Sequence, residues 1–151
     1  MSPFSFASSA PTPSAPHPTV TALFRSMLSL IFLVAGTGHL LHTDHIVGRL
    51  LDARFGFLAT SIFPARPLVL LAGVGLAVGG LCLLLGCYTR WAALLMIVIV
   101  VPITVTIQIG RPTLGPLFKN IAILGGLLFF AAHGAGPLSL DRVRRNAWHR
   151  E

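Results

Sequence analysis

Four stretches of this chain stay apolar for about the thickness of a bilayer. Ser26 to Thr43 carries no formal charge and follows Arg25. Leu68 to Thr89 carries none and lies between Pro67 and Arg90. Trp91 to Gly110 carries none and stops at Arg111-Pro112. The fourth, Leu117 to Ala132, is interrupted by Lys119-Asn120 and runs into the breaker Gly134-Ala135-Gly136-Pro137. An α-helix rises about 1.5 Å per residue, so ~20 residues cross a hydrocarbon core of ~30 Å. The second and third stretches meet that length outright. The first needs His39 near an interface, and the fourth needs Lys119 to carry its charge out along an aliphatic stem. The pattern predicts an all-α protein, a bundle of four transmembrane helices.

The longest connection, residues 44–67, has a different period. Val47, Leu50, Leu51, Phe55, Leu58 and Ile62 recur at spacings of three and four, with Arg49, Asp52 and Thr60 off that stripe. This predicts an amphipathic helix lying in the interface between helices 1 and 2, or capping the bundle end. Residues 1–20 contain five prolines and no charged side chain, so they are expected to form a disordered tail. They lack the basic start and apolar core of a secretory signal. The domain plan is a tail over 1–20, a membrane bundle over 21–141 and a basic tail over 142–151. Small residues within the spans, Gly75 with Gly79 and Ala122 with Gly126, are expected to let helix backbones approach. The run Gly73-Val-Gly75-Leu-Ala-Val-Gly79 has the wrong spacing for a dinucleotide fingerprint and follows no strand.

Composition sharpens this picture. Of 151 residues, 54% are hydrophobic and only 10% charged, too few charges to cover a water-soluble domain, and the mean hydropathy is +0.83. The partner of the outer surface is therefore the lipid bilayer. The net charge of +7 would suit nucleic acid in a soluble protein, but no basic stripe interleaved with aromatics is present, which excludes that partner. The basic residues gather instead at the ends of the apolar runs. One side receives Arg25, Arg90, Arg142, Arg144, Arg145 and Arg150, and the other Arg49, Arg54, Arg66, Arg111 and Lys119. The dense group after the last span predicts both termini in the cytoplasm.

That topology sorts the polar residues into two sets. His39, His42, Asp44, His45, Gln108, Arg111, Lys119 and Asn120 fall at the outer end. Arg25, Cys82, Cys87, Arg90, His133 and Asp141 fall at the cytoplasmic end. Polar groups at membrane depth are costly, so each is a candidate site or a helix anchor. His39, His42 and His45 lie at intervals of three, which suits Zn²⁺, Cu²⁺ or a proton relay, yet no second cluster supplies further ligands. No metal site is expected. Cys82 and Cys87 diverge by about 140° on a continuous helix. They can approach only if the helix ends between them, which Gly86 would allow; that would make a redox pair, against which two buried structural and dispensable thiols are the plainer reading. Arg25 and Asp141 share an end, where they either pair or each anchor a helix. Four acidic residues leave little scope for carboxylate catalysis.

Three segments resemble the DoxX family. The first is Arg25-Ser-Met-Leu-Ser-Leu-Ile-Phe-Leu-Val-Ala-Gly36-Thr-Gly38-His39-Leu, similar to the family's first helix. The second is Gly80-Leu-Cys82-Leu-Leu-Leu-Gly86-Cys87-Tyr-Thr89-Arg90-Trp-Ala-Ala, similar to its junction between helices two and three. The third runs from Phe118-Lys119-Asn120 to Gly134-Ala-Gly136-Pro137-Leu-Ser139-Leu140-Asp141 and is similar to its closing segment. The likeness spans residues 20–143 in order. It implies a multi-pass protein of the bacterial inner membrane, whose relatives include membrane subunits of quinone-linked oxidoreductases. Soluble or membrane redox subunits would then be partners, and a quinone the cofactor. A quinone head needs hydrogen-bonding groups at interface depth and an apolar slot for its tail. His39, His42, Gln108, Arg111 and Lys119 are the candidate site. A non-catalytic membrane scaffold is the alternative, and transport is disfavoured by the lack of intramembrane acids and of an inverted repeat.

Overall fold

The computed structural model describes residues 17–109 and 113–148. Helix α1 spans Pro18–Leu41, α2 Thr43–Leu51, α3 Phe57–Thr60, α4 Ala65–Leu85, α5 Thr89–Ile103, α6 Gly115–His133 and α7 Leu140–Trp148. A π-helical turn, Thr104–Gln108, continues α5. Among the described residues, α1, α4, α5 with its π turn, and α6 are long and apolar enough to cross a membrane. The described residues contain no strand. The four-span, all-α expectation holds.

Each span buries one stripe and leaves the rest facing outward. The shared core is Leu28 and Phe32 from α1, Leu76 and Leu83 from α4, Ala93, Met96 and Val100 from α5, and Ile123, Leu127 and Phe130 from α6. Val34, Leu71, Val98 and Leu128 point away from it and are more than half exposed, as side chains that contact lipid must be. Hydroxyls within the spans bond their own helix: Ser29 donates to the carbonyl of Arg25, Thr37 to that of Leu33, and Thr104 to that of Val100. No water is then needed to satisfy them.

Three boundaries differ from the sequence expectation. Helix α1 begins at Pro18, a favoured first position, so residues 18–20 of the supposed tail are helical. Residues 1–16 lie outside the described residues. Arg25 consequently sits two turns inside the helix and is buried, where the sequence placed it at the edge. The connection 44–67 forms two short helices, because the chain folds back at Gly56, where a Cβ would lie 1.9 Å from the Leu50 carbonyl oxygen. Of the predicted stripe, Leu50 is buried against Val69 and Ile107, and Val47 packs beside it. Leu51, Leu58 and Ile62 remain exposed. The segment thus covers one end of the bundle while keeping apolar side chains outward. The basic segment after residue 141 is helical to Trp148.

Candidate functional site

The covered end of the bundle contains a cavity of about 290 Å³ between α1, α5 and α6. Its polar lining is His39 from α1, Arg49 from α2, Gln108 from the π turn, and Lys119 and Asn120 from α6. Its walls are apolar, among them Phe32, Leu76, Val100 and Ile103. A second cavity, about 350 Å³ and almost wholly apolar, lies on the other side of His39, between α4 and α5. His39, Ile46, Ile103 and Ile107 line both.

Local sequence explains how these groups arrive there. Helix α1 comes close enough to α4 to place His39 because both carry glycine at the crossing. A Cβ on Gly73 would lie 2.9 Å from the His39 Cβ. The His39 Nδ1 is 2.8 Å from the carbonyl oxygen of Ala35. A carbonyl can only accept, so Nδ1 carries the proton, and the neutral ring is left with Nε2 as an acceptor. In α5, Pro102 has no N–H, and the helix widens soon after it, with Ile109 N–H bonding the Thr104 carbonyl five residues back at 3.3 Å. That wider turn carries Gln108. Its Oε1 is buried and, among the described residues, has no hydrogen-bond partner. A buried amide oxygen left unpaired costs about 1–3 kcal/mol, a cost that a hydrogen bond from a water or a ligand in the cavity would offset.

The structure therefore brings together His39, Gln108 and Lys119 of the five predicted residues. His42 caps α1, is exposed and lines neither cavity. Arg111 lies outside the described residues. Asn120 is the member that sequence reasoning left out of the site. It is buried and donates through Nδ2 to the Thr104 Oγ1 at 2.9 Å, tying α6 to the start of the π turn. Its signal was its register: Asn120, Ile123, Leu127 and Phe130 form the buried stripe of α6. Lys119, one residue earlier, is turned by about 100° and is exposed. Among the described residues no three His, Cys, Asp or Glu side chains gather as metal ligands.

At the opposite end the polar residues form a structural clamp. The Arg25 guanidinium donates to the carbonyls of Ala135 at 2.7 Å and Leu138 at 2.8 Å. Asp141 accepts from the Tyr88 N–H at 2.7 Å and the Thr89 N–H at 3.0 Å, which caps the N-terminus of α5. The Asp141 N–H in turn bonds the Gly86 carbonyl at 2.9 Å. Arg25 and Asp141 thus anchor separate backbone groups, and the one ion pair among the described residues is the exposed Arg66–Asp44, at 3.3 Å. Beside the clamp, Arg144 lies 4.9 Å over the Tyr88 ring, and its hydrogen bond to Tyr88 raises its pKa further above the ordinary value.

Comparison with known proteins adds one match. The DoxX family model matches residues 20–109, more than half of the chain and the part that holds α1 to the π turn. No curated protein and no solved structure matches.

Proposed function

We propose that this chain, which belongs to the DoxX family, is the membrane subunit of a redox complex and holds a quinone in the paired cavities around His39. The observation that carries this reading is the buried, unpaired Oε1 of Gln108 at a cavity that also holds an imidazole, an amide and an ammonium. The residues fit the ligand in both of its forms. Gln108 Oε1 and His39 Nε2 accept from the hydroxyls of a quinol, whereas Lys119 donates to a quinone oxygen. The neighbouring apolar cavity suits an isoprenoid tail, and His39 stands between the two. Bound there, a quinone supplies two-electron, two-proton chemistry. The chain's own contribution is to orient the head, cover it with α2, and offer His39 as a proton acceptor.

The test is binding of a short-tailed quinone to the full chain in mild detergent, with mass spectrometry of the extracted lipid for a retained native quinone. His39→Leu with Gln108→Leu is expected to weaken binding about 100-fold, from about 1.4 kcal/mol for each lost hydrogen bond. Helix content should not change. Equal affinity in wild type and double variant would remove the quinone reading.

The proposal extends to orientation in a bacterial inner membrane: both termini in the cytoplasm, with the cavity end outside. Reporter fusions after Arg144 and within residues 52–60 are expected to report opposite compartments. Matching compartments would contradict the four crossings.

A further inference from the structure

Helix α4 ends at Leu85 because Gly86 turns the chain left-handed, with φ 68°. The Gly86 N–H bonds the Leu83 carbonyl at 3.2 Å, and the Cys87 N–H bonds the Cys82 carbonyl at 3.0 Å. Together these bonds make a Schellman closure, which sets the side chain after the glycine against that of the residue three positions before the helix end. Those two positions usually hold an apolar pair. Here both are cysteine. The turn thus cancels the divergence that five-residue spacing imposes on a continuous helix. The two thiols are close enough to interact with each other. With a 3.0 Å bond from one backbone to the other, bond lengths limit the two Cα atoms to at most about 6.9 Å apart. Any bend in that path brings them into the roughly 4.4–6.8 Å range of disulfides. Both thiols are free and half-exposed, at the end of α4 remote from the His39 cavities.

We propose that Cys82 and Cys87 form a reversible dithiol–disulfide pair that exchanges electrons with the disulfide of a soluble thiol carrier at the membrane surface. The Cys87 thiolate attacks one sulfur of the carrier disulfide. The carrier's S–S bond breaks, a mixed disulfide forms, and the released carrier thiolate takes up a proton. The Cys82 thiolate then attacks the Cys87 sulfur, closes the Cys82–Cys87 bond and expels the second carrier thiolate, which takes up another proton. Two thiols of this chain are oxidised and one carrier disulfide is reduced. The protons lost by Cys82 and Cys87 equal those gained by the carrier. The reverse sequence reopens the pair. Because Asp141 bonds the Gly86 carbonyl inside the same turn, closure bears on the clamp that orders α5.

The experiment uses the full chain in detergent, equilibrated with glutathione buffers from fully reduced to fully oxidised and quenched with an alkylating reagent. The expected result is an intramolecular Cys82–Cys87 disulfide, seen as a two-hydrogen mass loss with both thiols protected. Its fraction should rise from none to nearly all across the series. Cys82→Ser should instead trap glutathione on Cys87. Two alkylated thiols in every buffer, or a lasting glutathione adduct on the wild type without closure, would overturn the proposal.

Discussion

Arg25→Met is expected to lower the thermal midpoint in detergent sharply, by far more than removal of a surface charge. The side chain is only 5% exposed and makes two charge-assisted hydrogen bonds, to the carbonyls of Ala135 and Leu138. Those carbonyls lie beyond the end of α6, where the helix has stopped bonding its own backbone. Hydrogen bonds to charged groups contribute about 1.5–3 kcal/mol each, so the loss is on the order of 3 kcal/mol. Surface ion pairs contribute about 0–1 kcal/mol, which is what Asp44→Asn, at the exposed Arg66 pair, should cost at most. The comparison by thermal unfolding of both variants separates a clamp from a peripheral anchor. Exchanging the charges, Arg25→Asp with Asp141→Arg, should give no rescue. Arg25 serves carbonyls and Asp141 serves N–H groups, so each exchanged side chain would present the wrong hydrogen-bonding sense to its backbone partners.

The second large effect is expected at Gly36. A Cβ there would lie 2.6 Å from the Ala77 nitrogen, 2.9 Å from the Gly73 carbonyl oxygen and 3.0 Å from the Ala77 Cα. All three are backbone atoms of α4, which cannot swing aside as a side chain can. Overpacking a core typically costs about 1–3 kcal/mol. Gly36→Leu should reach the top of that range or exceed it, because α1 and α4 must part along their main contact. His39 rides on α1 against Gly73, so quinone binding should fall with stability. Gly36→Ala already places that Cβ, and Gly38→Ala is its matched control. No atom lies within 4 Å of its added Cβ, and alanine favours the helix by about 0.8–1 kcal/mol over glycine. Gly38→Ala should therefore be neutral or mildly stabilising. Equal destabilisation at both glycines would refute the close α1–α4 crossing.

The four spans were legible in the sequence because bilayer solvation is a one-dimensional requirement. About twenty residues without charge must run together, and that shows in the order of residues alone. The family resemblance was equally local, since motifs such as Gly86-Cys87-Tyr88-Thr89-Arg90 are contiguous along the chain, and the family model matches residues 20–109. The depth of His39, Gln108 and Lys119 followed from their places near span ends. Which of them meet did not follow, because that depends on helix rotation and crossing. Asn120 and Lys119 are neighbours in sequence, yet one is buried in the bundle and the other exposed.

Other features belong to the tertiary structure entirely. Gly36 and Gly38 look alike in the sequence, and only the course of α4 sets one against its backbone and leaves the other without a close neighbour. Arg25 reads as a headgroup anchor until the carbonyls of residues 135 and 138, more than a hundred positions away, come to meet it. The approach of Cys82 to Cys87 is local by contrast, and it turned on the backbone angle at Gly86, the helix end that the sequence had marked. Hydropathy acts through the solvent and is additive along the chain, so the sequence by itself determined which segments enter the membrane. Hydrogen bonds and close packing act over a few ångströms between specific atoms, so the clamp and the cavities were decided only when the helices came together.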